Sequence, residues 1–388
     1  MRGLLRPLAA ALLAATSARG VSLFGFYSAD LSATAAFSNL FQADSVADVQ
    51  SAHAAGQRVL LLTYDAFFTS VPSRMVLRPD YEARWAALAA QAAPLLADGS
   101  LYGFNLGDEL IWNCLDPANL TVAADAVRAS FATAVIWYNE ATPPLQSGID
   151  SCGHTGLNIT VPSSLDIFST DLYHTDGEVD GWVEAHVRPF YETYIYPRLR
   201  PGQQVMLVPG SFGSNVNHFP NGTYVCDKNC YDEMCAADAL DFLAWAKADA
   251  KVLAIMPWNW AGCPPCNGSR WTPPDTCCMD ELGTDVMPLA RAVWAAVGRE
   301  IIGGGGGGNG ACSSAASADA KRAVQGASAV WRWQGRGRQG GVVAAPAAGR
   351  CAALRRWMGA RREARTSNRM RRSRRSGTCV NTAPPRRV

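Results

Sequence analysis

Two acids sit side by side, Asp108 and Glu109, at the end of the mostly apolar run LYGFNLG and just before Trp112. A carboxyl that ends a buried strand beside a second acid and an indole has the surroundings of a proton donor, because a like charge and an apolar environment both disfavour ionisation. Glu109 is therefore the foremost candidate for a general acid, with Asp108 tuning it. Other apolar runs end in the same way: Asp30 follows one, Asp65 with Phe67 and Phe68 another, then Asp171 with Tyr173 and His174, Ser211 with Phe212, and Trp258-Asn259-Trp260. Acids mixed with aromatics suit a carbohydrate, whose hydroxyls need polar partners and whose apolar ring face stacks on indole or phenol. Cleaving a glycosidic bond normally takes two carboxyl groups. Asp171 is the leading second carboxyl, as base, nucleophile or charge stabiliser. Asp30, Asp65, Asp108, Trp112, Tyr173, Trp258, Asn259 and Trp260 are expected to bind the substrate.

Each of these residues also has a structural reading. Asp30 and Asp65 could cap the helices that follow them. Asp171 could brace backbone amides, and Trp258 and Trp260 could pack as a plug. His174 and His218 lack a second ligand at metal spacing and are read as surface loop residues. No metal and no cofactor is implied.

Eight strand-helix units are needed to hold such groups on one rim, and the apolar pattern supplies that number. Strands are expected at 22–27, 40–42, 58–64, 101–106, weakly at 145–149, then at 165–170, 204–208 and 252–257. Most are apolar throughout, as strands covered on both faces are. Helical patterns are expected at 46–55, 81–96, 123–138, 182–196, 236–248 and 285–297. Eight units over about 280 residues match an α/β fold of the (β/α)8 TIM-barrel type, whose functional groups follow the strands at their C-terminal ends. A doubly wound open sheet is the alternative, and it lacks its glycine-rich phosphate loop after the first strand.

Composition divides the chain. The N-terminal MRGLLR, the apolar run 8–15 and the small residues Thr16-Ser17-Ala18 read as a signal peptide over 1–20, and the barrel is expected over 21–301. Residues 302–388 then read as a Gly/Ala/Arg-rich disordered tail. From residue 301 onward 18 basic residues face two acids, a net +16, so the first 300 residues carry −14 within a total of +2. The basic run RMRRSRR at 369–375 could adhere to an acidic polysaccharide or to nucleic acid, but composition supplies no binding geometry, and no nucleic-acid partner is expected. Nine of the 12 cysteines precede residue 300, with Cys226, Cys230, Cys235, Cys263, Cys266, Cys277 and Cys278 crowded together. In an exported chain these read as disulfides stapling loops rather than as a zinc site, and an odd number leaves one thiol free or paired with the tail. Sequons begin at Asn119, Asn158, Asn221 and Asn267. The expectation is a secreted glycoprotein with no membrane attachment after signal cleavage.

From Val21 to about Val297 the chain resembles the superfamily of (β/α)8 glycoside hydrolases. Gly103-Phe104-Asn105-Leu106-Gly107-Asp108-Glu109 is similar to their fourth-strand segment, whose glutamate is the general acid. Asp166-Ile-Phe-Ser-Thr-Asp171-Leu-Tyr173 is similar to their sixth strand, and Val205 to Gly213 and Ile255 to Trp260 to the seventh and eighth. The resemblance implies hydrolysis of an extracellular or cell-wall polysaccharide, with an oligosaccharide or polysaccharide as the partner. Two departures accompany it. Where the best-known clan ends its seventh strand in a nucleophilic glutamate, this chain reads Pro209-Gly210-Ser211. The chitinase-like fourth-strand motif DGxDxDxE is echoed only in Gly103, Phe104 and Glu109, with Tyr102, Asn105 and Gly107 in place of aspartates. A missing seventh-strand acid leaves open a catalytically inactive barrel that binds glycans through the same rim, and a disulfide-rich structural wall protein is a third possibility.

Overall fold

The computed structural model of the protein describes residues 20–27, 29–72, 74–174, 181–212, 228–261 and 283–304. Its strands, numbered along the chain, are β1 (Leu23–Phe24), β2 (Leu40–Ala43), β3 (Arg58–Leu62), β4 (Phe68–Val71), β5 (Arg74–Leu77), β6 (Gly103–Asp108), β7 (Val135–Ala141), β8 (Ile167–Asp171), β9 (Gln204–Leu207) and β10 (Val252–Ile255). Eight of them form one parallel sheet in the order β1-β10-β9-β8-β7-β6-β3-β2, while β4 and β5 pair as a separate antiparallel hairpin. Each barrel strand lies beside its predecessor in the chain, with helices between them, and β1 returns to β10. That is a nearly closed (β/α)8 barrel.

The seam between β1 and β2 is joined by one side chain. Asn39 donates its backbone N–H to Phe24 O at 2.9 Å, accepts the Phe24 N–H on Oδ1 at 2.8 Å, and donates Nδ2 to Ser22 O at 2.9 Å. The primary amide thus stands in for the ladder bonds that the short β1 does not make. Gly25 allows the approach, because a Cβ there would lie 2.3 Å from Leu40 O.

Period-two alternation sorts the strand residues between two apolar layers. Leu23, Tyr27, Leu40, Leu60, Trp137, Ile167, Met206, Val208, Ala254 and Met256 fill the inside of the barrel. Their neighbours Phe24, Phe26, Val59, Leu61, Ile136, Tyr138, Phe168, Val205 and Ile255 face the surrounding helices. Continuing the same alternation, Asn139 and Asp171 fall on the inner face of β7 and β8, and Glu140 falls on the outer face of β7.

The fifth barrel strand corrects the sequence reading. It runs over Val135–Ala141, overlapping the end of the helix expected at 123–138, and residues Thr142–Ser147, overlapping the strand expected at 145–149, form a short helix ended by Gly148 at φ +63°. The preceding helix begins earlier, at Pro117, capped by the Asp116 side chain on the Ala118 N–H, and ends at Ser130. The run Val-Ile-Trp-Tyr is β-branched and aromatic, which favours a strand covered on both faces, yet its apolar positions continue the helical period. Two more helices exceed their expected lengths: Lys228–Ala248 and Pro288–Gly304. The stretch expected as one helix at 182–196 is a helical segment with two wide π turns, Val183–Val187 and Tyr191–Ile195.

Cys114 and Cys152 form a disulfide that spans 38 residues. Cys235, on the helix Lys228–Ala248, is buried and forms no disulfide among the described residues. Cys226, Cys263, Cys266, Cys277 and Cys278, the sequons at Asn221 and Asn267, His218, residues 1–19 and the basic tail from 305 lie outside the described residues, as does the side chain of Cys230. Asn119 lies in the first turn of its helix and Asn158 is exposed in a loop. Among the described residues no helix is long and apolar enough to cross a membrane.

Candidate active site

Strand register brings three acids together at the C-terminal mouth. β6 ends in Asp108, which pairs in register with Asn139 of β7, and β8 ends in Asp171, which pairs with Ala141. Asn139 stands between them. Its Oδ1 accepts the Ser169 hydroxyl at 2.6 Å, and Ser169 in turn accepts the Trp137 indole N–H at 2.8 Å. With its oxygen so committed, the amide turns Nδ2 toward Asp108 Oδ1, 2.7 Å away, and contributes a bond to Asp171. A buried chain from the barrel interior therefore sets the amide that faces the acids.

Glu109 follows in a left-handed conformation, φ +49°, after Gly107 at φ +144°. Such a backbone is uncommon for a residue with a side chain. The Glu109 carboxyl lies close enough to Asp171 for each to influence the other's titration. Asp108 and Glu109 are each partly exposed, whereas Asp171 is 8% exposed and its Oδ1 is buried without a hydrogen-bond partner among the described residues.

Tyr27 rises from the end of β1 into the same cluster. Its ring packs on Trp137 at 5.3 Å and Trp258 at 5.1 Å, and its buried hydroxyl faces Asp108, Asp171 and Asn105. Tyr173 lies beside Asp171 and meets Phe212 edge-on at 5.2 Å.

Burial dominates the electrostatics. It pushes Asp108 up to about 6, while the bond from Asn139 and the nearby Tyr27 hydroxyl pull the other way. It pushes Glu109 up to about 7, with the Asp108 charge adding to the rise and Asp171 opposing it. Asp171 is raised further by burial and then by the charges of Asp108 and Glu109. The phenols of Tyr27 and Tyr173 are likewise raised, first by burial and then by these acids. No lysine, arginine or histidine stands among the groups that set these values. Carboxyls this close titrate as a unit, and the unit retains protons near neutral pH.

The other expected site residues divide by surroundings. Trp258 is half-buried against Tyr27 at the mouth. Asn259 is buried, and its carbonyl accepts the Thr284 N–H at 3.2 Å and the Thr284 hydroxyl at 3.1 Å. Trp112 is partly exposed on the turn after Glu109. Trp260 corrects the expectation that it lines a sugar subsite: it is buried against Phe26 at 4.9 Å and Phe37 at 5.6 Å, in the layer between strands and helices. Asp30 caps the short helix Leu31–Thr34, accepting the Ser32 N–H at 2.8 Å, and that bond holds its pKa low. Asp65 is exposed on the first turn of the helix Tyr64–Phe67, and Phe67 and Phe68 are fully buried rather than on the rim. Neither Asp30 nor Asp65 contributes to the acid cluster. His174 is also buried rather than on the surface: its Nδ1 lies 3.0 Å from Asp238 and its ring stacks on Trp182 at 4.5 Å.

Sequence reasoning missed Tyr27, Asn105, Tyr138, Asn139 and Glu140. The last three were hidden by the helical reading of 123–138, although VIWYNE repeats the signal of the preceding strand, an apolar run ending in a polar pair.

Among the described residues, one group of possible metal ligands comes together, Cys114, Asp150 and Cys152, and both sulfurs are committed to the disulfide. A cavity of about 610 Å³ opens at the opposite end of the barrel, lined by His53, Gln57, Arg58, Tyr102 and Thr133 among others, and none of the clustered acids reaches it.

No protein-family profile and no curated protein matches the chain. Solved structures similar to it include a glucosidase from Croceicoccus marinus, 14% identical, covering 72% of this chain and 68% of that one with a TM-score of 0.46. A Thermobacillus composti GH10 xylanase is 12% identical, covering 62% of this chain and 85% of its own with a TM-score of 0.39. The Prevotella bryantii endo-beta-mannanase/endo-beta-glucanase is 17% identical, covering 54% and 34% with a TM-score of 0.36. The barrel stands on its own strand order and register.

Proposed function

We propose that this protein is a secreted glycoside hydrolase acting on an extracellular or cell-wall polysaccharide, with Glu109 as general acid and Asp171 as its partner carboxyl. The observation that carries the reading is the Glu109 carboxyl itself, at an aromatic mouth with a pKa raised to about 7 and Asp171 close by. A general acid works best when its pKa lies near the working pH, so that it is protonated before the leaving oxygen departs and ready to give the proton up. Asp108 raises the acid's pKa, and Asn139 fixes the distance between Asp108 and Asp171. The half-buried Tyr173 and Trp258 offer ring faces to a sugar, Trp112 borders them, and the buried Tyr27 backs Trp258. Asn259 supports the wall that carries Trp258. The signal-like N-terminus, the sequons and the Cys114–Cys152 disulfide support export.

Glu109 lies close enough to Asp171 for the two carboxyls to influence each other's titration, whereas the two carboxyls of most glycoside hydrolases stand roughly 5 to 9.5 Å apart. A sugar oxygen entering between them would part the pair, leaving the proton on Glu109 and the charge on Asp171. The same closeness, with no acid at Pro209-Gly210-Ser211, favours the second reading, a barrel that binds glycans without cleaving them. Incubation of the purified protein with xylan, mannan, β-glucan, starch and colloidal chitin separates the two. Release of reducing ends, abolished in Glu109→Gln, supports the hydrolase, and retention on a glycan without cleavage supports the binder.

A further inference from the structure

Strand β7 grips four successive backbone N–H groups of the turn that carries Glu109. Asn139 O accepts the Glu109 N–H at 3.1 Å. The Tyr138 hydroxyl accepts from Leu110 N at 3.1 Å and Ile111 N at 3.3 Å. Glu140 accepts from Ile111 N on Oε2 at 3.0 Å and from Trp112 N on Oε1 at 3.1 Å. The Tyr138 hydroxyl donates to the same Oε2 in a short hydrogen bond, and the Ala141 N–H donates to Oε1 at 2.8 Å. Glu140 is fully buried, and each of its oxygens receives two donors.

We propose that Glu140, acting with Tyr138, is the positioning residue that holds the Glu109 turn in its left-handed form and so sets the proton donor over the mouth. The inference rests on the hydrolase reading for its kinetic consequence, but its structural content stands without it. A left-handed glutamate is strained unless its surroundings fix it. Three N–H groups without partners inside the protein would cost more. Only an acceptor with several free lone pairs satisfies such a row, and a carboxylate beside a phenol is that acceptor; burial pushes Glu140 up to about 8, while the bonds from Tyr138 and the backbone N–H groups favour its charged form. An apolar residue, or a donor such as an amide nitrogen, at position 140 would leave the row unanswered. On the outer face of β7, Glu140 points away from the three mouth acids, and its hydrogen bonds all go to the turn, to Tyr138 and to the Ala141 N–H.

Glu140→Gln keeps the size of the side chain and replaces one acceptor oxygen with an NH2. In either amide orientation two present donors then face a donor. If the NH2 faces Tyr138, that hydroxyl has no lone pair to spare, since Leu110 and Ile111 already occupy it. Tyr138→Phe removes the same acceptor from the other side. Three measurements on the full chain test the proposal: amide hydrogen exchange of the segment 108–113, thermal unfolding, and the pH profile of polysaccharide hydrolysis. Val127→Ala, a buried change on the helix Pro117–Ser130, serves as a control that lowers stability without touching the turn. Both β7 variants are expected to raise exchange at 109–112 at least tenfold and to cut kcat by roughly 10- to 100-fold with little change in KM, the scale set by an ångström-level misplacement. They should also shift the pH profile, whereas Val127→Ala should lower Tm and leave exchange at 109–112 and the pH profile as they were. Unchanged exchange in Glu140→Gln, or equal effects from Val127→Ala, overturns the proposal. If wild type cleaves nothing while exchange rises in both β7 variants, the turn is positioned as proposed and the hydrolase reading fails instead.

Discussion

Asp108→Asn is the sharpest perturbation of the acid cluster, because Asn Oδ1 can still accept from Asn139 while the charge beside Glu109 is gone. Two unit charges about 6 Å apart at an effective dielectric near 20 interact by roughly 3 kcal/mol. At about 1.4 kcal/mol per pKa unit, that bounds the effect near 2 units. Asp108 is pushed only to about 6, so it is largely charged while Glu109 titrates at about 7, and the expected fall is about one to two units. Burial remains the larger cause of the rise, so Glu109 should stay above its ordinary value of 4.5. The assay is the pH dependence of kcat/KM, with carboxyl titration by carbon NMR as a direct check. The alkaline limb near pH 7 should move to about pH 5 to 6 in the variant. Stability supplies a second readout with a definite sign. An acid whose pKa is raised on folding binds more protons in the native state, so its contribution is full below its unfolded pKa and is lost as pH rises through the folded one. Between pH 5 and 8 wild-type Tm should therefore fall, and Asp108→Asn should fall less, by about 1 to 2 kcal/mol at pH 8 after allowing for partial exposure. An alkaline limb that stays in place or moves upward would refute the coupling between Asp108 and Glu109.

Three further changes test the packing and the staple. Trp260→Ala empties a core site against Phe26 and Phe37 and should cost about 3 to 5 kcal/mol, roughly 10 °C in Tm. Trp258→Ala, at the half-buried mouth, should instead raise KM several-fold with a small change in Tm; steady-state kinetics and calorimetry on the pair distinguish the roles. Replacing Cys114 and Cys152 together with serine frees a 38-residue loop and should lower stability by about 3 to 4 kcal/mol, read by denaturant unfolding.

How much of this was legible in the sequence depended on which period each segment obeyed. β3 and β9 were plain because short apolar runs bounded by turns can only be buried strands at that length. β7 was not, because Ile136, Trp137 and Tyr138 extend the apolar positions of the helix before them, and only β propensity argues otherwise. Losing β7 as a strand hid Asn139 and Glu140, since inward and outward faces follow from register rather than from residue type. Glu109 and Asp171 could be read directly, as acids that end apolar runs. Trp260 could not be placed, because strand alternation would put it on the same face as Trp258, two residues earlier, and both lie past the end of β10, where that alternation no longer governs. The positive φ of Glu109 left no trace in the sequence beyond Gly107, and its cause lies thirty residues away in β7.

The most direct test of the account compares the purified wild-type protein with its Glu109→Gln variant on the polysaccharide panel, with reducing ends and glycan retention measured on the same samples. Hydrolysis by wild type that drops about 100- to 10,000-fold in the variant, while the variant still binds the glycan, is the predicted result. Equal binding by both proteins with cleavage by neither would contradict it and leave Glu109 as scaffolding in a glycan-binding barrel.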